Sequence, residues 1–161
     1  MSLVVLQQKM EETALRYQRE GYFPSCTMTV FNRDKVLFQS ALGDAKEDTL
    51  FDCASLTKIA TSTQVLLAID QGLFSLTSPL VELLPALSQD VFLSKRLQGI
   101  TLFQLLTHSA GLPAWYPFYV KKDFVTALKD ALDKPPETGV VYSDLGFILL
   151  GKVLEEVYQQ P

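Results

Sequence analysis

The stretch Phe51–Gly72, FDCASLTKIATSTQVLLAIDQG, holds a lysine in an unexpected place. No charged residue occurs from Ile59 to Ile69, and the apolar and small side chains run all the way round the helix that this segment predicts. A helix of that kind is expected to be buried on most sides. Lys58 nevertheless stands at its mouth, three residues after Ser55.

On a helix, residues three apart share a face with Cβ atoms about 5–6 Å apart, so the Ser55 hydroxyl and the Lys58 amine can meet. A helix N-terminus and burial both disfavour an ammonium group. Bringing a lysine from about 10.4 to about 7 costs ~4.6 kcal/mol, a size that burial alone supplies. A neutral Lys58 is then a base for the serine proton. The first N–H groups of the helix point towards an oxyanion formed at Ser55. Each residue also has a plainer role. Serine is a favoured N-cap, and a lysine at a helix start can extend its stem to reach water.

The rest of the chain frames that helix. Leu6 to Arg19 reads as an amphipathic helix with Met10, Ala14 and Tyr17 near one face, stopped by Gly21. Ser25 to Phe31 and Lys35 to Leu42 read as a β-hairpin across Asn32-Arg33-Asp34, and Thr49 to Asp52 as a short further strand. Helices follow. The first runs from about Ser55 to Gln71 with Gly72 behind it. Ser78-Pro79 has the pattern of a cap and first residue for a short helix reaching Leu84. Thr101 caps LFQLLTH, Lys122 to Leu132 forms another helix, and a last one spans about Ser143 to Tyr158. Strands first and helices after make an α+β chain with an incomplete antiparallel sheet. A hairpin alone is marginal and needs further strands or a covering helix.

Composition excludes several classes. The chain has 161 residues, 48% hydrophobic and 20% charged, as in a soluble globular protein, and its length fits a single domain over 1–161. A net charge of −4 gives no basic footprint for nucleic acid. No run approaches the ~20 apolar residues of a membrane span, and no secretory leader is visible, so the chain as given reads as cytoplasmic. Truncation is also compatible with an extracytoplasmic complete protein. One histidine and no CxxC leave no readable metal site, and no cofactor is expected. Cys26 and Cys53 lack the spacing of a disulfide framework and read as buried free thiols. A triad would require His108, but no G-x-S-x-G elbow is present. His108 ends an apolar helix, where a histidine caps the terminus or satisfies a loop carbonyl.

Three segments in order, ASLTK, ITLFQLLTHSAGLP and VVYSDLGFILLGKVLEEV, resemble the serine β-lactamase and penicillin-binding-protein superfamily. The likeness is to the branch of class C β-lactamases, D-alanyl-D-alanine carboxypeptidases and family VIII esterases, and it runs from about Phe23 onward. It implies a β-lactamase-like fold, with Ser55 as acylated nucleophile, Lys58 as its base or hydrogen-bond partner, and Tyr142 as the tyrosine of a Y-x-N motif that carries the proton to the leaving group.

Asp144 stands where that motif has asparagine. Read as S-D-N instead, the same letters put Leu145 in the asparagine's place. Gly146, Leu149, Leu150 and Gly151 continue the Y-x-N pattern and favour the first reading. As a substrate-binding residue Asp144 only accepts hydrogen bonds when ionised. It can pair with Lys58 and hold it protonated, or cap the last helix. The family's K-T-G or H-x-G strand has no counterpart here, so the chain resembles the first part of a family member. The substrate implied is a β-lactam, a D-Ala-D-Ala peptide or a small ester, hydrolysed through an acyl-enzyme, with weak or no activity in this chain alone. The alternatives are a non-catalytic sensor or interaction protein, and an inactive fragment. A homo-oligomer that completes the sheet is a further expected partner.

Overall fold

The structure is a computed structural model that describes residues 2–160. The chain divides into two compact units, Met1–Asp52 and Cys53–Pro161. The first holds helix α1 (Leu3–Arg19) and strands β1 (Cys26–Phe31) and β2 (Val36–Leu42), which pair antiparallel with Cys26 opposite Leu42, Met28 opposite Ser40 and Val30 opposite Phe38. A bulge follows Val30. The Asn32 side-chain oxygen closes the turn by accepting from the Asp34 and Lys35 N–H groups at 3.0 and 2.9 Å. Helix α1 packs against β2 and buries Ala14. Gly43, at φ +68°, is where a side chain would collide with the Pro24 carbonyl oxygen, so the chain needs glycine to leave β2 there. Thr49 to Asp52 form no strand.

The second unit is helical. It comprises α2 (Thr57–Asp70), the short helices α3 (Leu80–Leu83) and α4 (Pro85–Ser88), α5 (Val91–Leu97), α6 (Leu102–Leu106), α7 (Phe124–Leu132) and α8 (Asp144–Tyr158). Its core gathers Val65, Leu80, Leu93, Leu97, Leu102, Leu105, Leu128, Leu132, Leu145, Leu149, Leu150 and Val153, all essentially inaccessible to solvent. Helix α8 is central because its stripe Leu145, Leu149, Leu150 and Val153 meets α6, α2 and α3.

Local chemistry explains the helix ends. Thr101 and Gln104 form a capping box at the start of α6. Asp123 caps α7 and Ser143 caps α8. Ser78 does not cap α3. Its hydroxyl accepts from the Ser75 N–H at 2.9 Å, and Pro79 pairs with Thr101 in an isolated bridge that takes over the Leu80 and Ile100 backbone groups.

Two burial expectations are corrected. Helix α2 buries only Val65 and Ala68, while Ile59 is 66% and Leu66 53% exposed. Its packing partner is α8, which covers one face of a helix that is apolar on several. Cys53 is exposed and Cys26 partly so; both thiols are free.

Candidate active site

Ser55 sits in a single 3₁₀ turn, Ala54–Leu56, that leads into α2. Ala54 has φ +43°, a left-handed conformation that costs a residue with a Cβ about 1–2 kcal/mol. Backbone strain of this kind concentrates at functional sites. Ser55 is not a cap: neither the turn nor α2 has a side-chain cap bond at its start. Its Oγ accepts from the Lys58 ammonium at 3.2 Å. The Lys58 Nζ also donates to Asp144 Oδ1 at 2.6 Å, and it lies 4.8 Å from the Tyr142 ring centre and 5.7 Å from that of Phe147. Ser55 and Lys58 are the side chains that act most strongly on the Tyr142 phenol.

The four residues picked from the sequence, Ser55, Lys58, Tyr142 and Asp144, therefore converge. They come from the start of α2 and the start of α8, which pack together. An open cleft of about 470 Å³ runs past Ser55, Lys58, Thr61, Asp144, Phe147 and Ile148.

The electrostatics choose between the two expectations for Lys58, a neutral base and a lysine held protonated by Asp144. Burial lowers its pKa, since the side chain is only 16% exposed. Hydrogen bonds and charge from Asp144 and Tyr142 outweigh that and hold the ammonium above its ordinary value. Lys58 is thus a cation in the resting site, not a neutral base. Tyr142 moves the other way: hydrogen bonds from Ser55, then from Lys58, together with the Lys58 charge, pull its phenol below the usual tyrosine value of 10.0, against burial and the Asp144 charge. Asp144 is the first residue of α8 rather than its cap. Ser143 caps, accepting from the Gly146 N–H at 3.3 Å, while its hydroxyl donates to the Pro113 carbonyl at 2.6 Å.

His108 is the residue whose place the sequence reading misjudged. It is not a cation on a helix end. Its Nδ1 accepts from the Ser143 N–H at 3.0 Å, and its carbonyl accepts from the Val141 N–H at 2.9 Å. Its ring lies 4.5 Å from that of Tyr142 and 5.2 Å from that of Phe147. Burial, then the Lys58 charge, lowers its pKa against the pull of Asp144. The available signal was that LLTHSAGLP carries the one histidine of the chain. Among the described residues, no group of three or more His, Cys, Asp or Glu side chains could hold a metal ion, and no helix is long and apolar enough to cross a membrane.

An α+β fold with a serine and a lysine one turn apart, met by a tyrosine from the segment that leads into a second helix, defines a β-lactamase-like protein. The Beta-lactamase family profile matches residues 5–161, and the chain belongs to that family. A fimbrial assembly protein, FimD of serogroup D from Dichelobacter nodosus, is 36% identical over 118 residues, covering 67% of this chain and 29% of its own length. Penicillin-binding protein 4 of Amycolatopsis lactamdurans is 27% identical over 115 residues, covering 67% of this chain and 30% of its own. The crystal structure of a class C β-lactamase superposes with a TM-score of 0.81 at 19% identity, over 99% of this chain and 46% of that one. The chain thus spans about a third of these curated relatives and under half of the solved structure. The family bears the name of a hydrolase, β-lactamase.

Proposed function

We propose that this chain carries the nucleophile and proton-transfer groups of a serine hydrolase that works through an acyl-enzyme. The observation that supports it most directly is the Lys58–Ser55 hydrogen bond with the Tyr142 ring 4.8 Å from the Lys58 Nζ. Ser55 Oγ attacks the substrate carbonyl carbon, and its proton passes to the Tyr142 phenolate. The Lys58 ammonium stays charged, held by Asp144, and stabilises that phenolate. Tyr142 then returns the proton to the leaving group as the carbonyl collapses to the Ser55 ester. Water hydrolyses the ester. Backbone N–H groups at the start of α2 face the developing oxyanion. The substrates that fit are a β-lactam, a D-Ala-D-Ala peptide or a small ester.

The Lys58–Asp144 pair supports a second reading. A Lys58 held protonated by Asp144 is not available as the base for a hydrolytic water, so the same site in a sensor acylates without turning over. The experiment is covalent labelling with a fluorophosphonate and a fluorescent penicillin, followed by release of the label. Labelling is expected in the parent chain and absent in Ser55→Ala. Equal labelling of both rejects Ser55. A single-turnover burst with no steady state selects the sensor.

A further inference from the structure

We propose that neutral His108 is the positioning residue for Tyr142, and that adding a proton to its Nδ1 releases Tyr142 from the Ser55–Lys58 pair. The pH-dependent part rests on the role given to Tyr142 above. Three contacts from one residue act on the short segment that carries Tyr142. The His108 carbonyl holds the Val141 N–H on one side of it, His108 Nδ1 holds the Ser143 N–H on the other, and the imidazole packs against the Tyr142 ring between them. The N–H groups on either side of Tyr142 thus both meet His108, while Ser143 Oγ and the Asp144 N–H tie the same segment to the Pro113 and Ala114 carbonyls. The residue adopts φ +57°, in the left-handed region, and its carbonyl and ring both meet the Val141–Ser143 segment.

The Ser143 contact has a proton-dependent sign. With Nδ1 unprotonated it is an acceptor, as drawn by the 3.0 Å bond. With Nδ1 protonated both partners are donors, and the bond becomes a repulsion. The charged groups that face the imidazole are the Lys58 ammonium from α2, which disfavours a second cation, and the Asp144 carboxylate from α8, which favours it; Tyr142 contributes a phenol. Burial leads these influences, and the net result is a pKa below the ordinary 6.5. Because folding lowers this pKa, its contribution to stability is present above about 6.5 and is lost as pH falls through the lowered value.

The test uses the 161-residue chain and has two readouts. In the first, the single histidine is followed by NMR together with the Ser143 amide and the Tyr142 ring. All three are expected to move with one midpoint below 6.5, and in His108→Asn the Ser143 and Tyr142 signals are expected to stay still through that range. Asparagine places an acceptor where Nδ1 stands, tolerates the left-handed backbone and does not titrate. In the second, the fluorophosphonate labelling rate is measured from pH 5 to 8. A Tyr142 base alone gives a rate that rises about tenfold per pH unit below its pKa. In the parent chain the dependence steepens to about a hundredfold per unit below the His108 midpoint, because both groups must be unprotonated. In His108→Asn it remains about tenfold.

If the Tyr142 signals ignore the histidine midpoint, or if His108→Asn keeps the steeper limb, the proposal is overturned. If the NMR linkage holds and no pH gives labelling, the positioning of Tyr142 stands and the acyl-enzyme reading fails. His108→Leu, which removes the acceptor, is expected to slow labelling at every pH with its fold checked by circular dichroism; an unchanged rate would also overturn the proposal.

Discussion

Lys58 donates to two neighbours with opposite consequences. The bond to Ser55 orients its hydroxyl, and the bond to Asp144 keeps the lysine charged. In the mechanism proposed above, the Ser55 proton therefore goes to Tyr142, whose phenol is held below its usual value. Tyr142→Phe is expected to reduce fluorophosphonate labelling by about 10²–10⁴-fold, the range for loss of a positioned acid–base group, while thermal unfolding stays close to the parent. Loss of less than tenfold would return the base role to Lys58. Asp144 opposes the ionisation of Tyr142 through its charge. Asp144→Asn removes that charge and leaves Lys58 free to stabilise the phenolate. Labelling at pH 7 should then speed up. A slower reaction would show that the carboxylate aligns Lys58 in a way that an amide cannot. The residue types and spacing at Ser55, Lys58 and Tyr142 were readable in the chain. Two properties were not: the direction of the Lys58 pKa and the acceptor role of His108 both depend on residues more than thirty positions away in sequence.

Element boundaries decide how these side chains are aimed. Ser143 is 2% exposed and does two jobs at the start of α8, capping Gly146 and tying the chain to the Pro113 carbonyl. Ser143→Ala loses both bonds and should lower stability by about 2 kcal/mol, read by chemical denaturation; a change within error would mean water replaces the hydroxyl at no cost. Thr101→Ala, which opens the capping box of α6, should cost about 1 kcal/mol. The capping signal at Thr101 was legible because side-chain chemistry local to three residues sets it, whereas α8 is capped by Ser143 and not by Asp144. Ser78 misled because its hydroxyl serves a turn with Ser75, while a bridge from Thr101 starts α3. The start of α2 was also displaced: a 3₁₀ turn holds Ser55, so the α-helix begins at Thr57 and the serine is free of cap duty.

Across the second unit, stability and exposure separate cleanly. Leu149→Ala removes a side chain with no solvent exposure from the stripe of α8 and should cost about 2–5 kcal/mol, seen as a lower denaturation midpoint. Ile59→Ser acts on the uncovered face of α2 and should change stability by no more than about 0.5 kcal/mol. If Ile59→Ser proves as costly as Leu149→Ala, that face is covered in solution, and sedimentation should then show an oligomer of the parent that the variant lacks. By itself, the sequence determined the α+β order, the hairpin, the periodic stripe of α8 and the candidate quartet. Each of these rests on patterns within one element or on short motifs whose chemistry travels with them. Only the tertiary structure decided how deeply α2 is covered, which partner holds Lys58, and that His108 grips both sides of Tyr142. Burial and pKa are set by whatever packs alongside a residue, and α2, His108 and the start of α8 become neighbours only once the helices have docked.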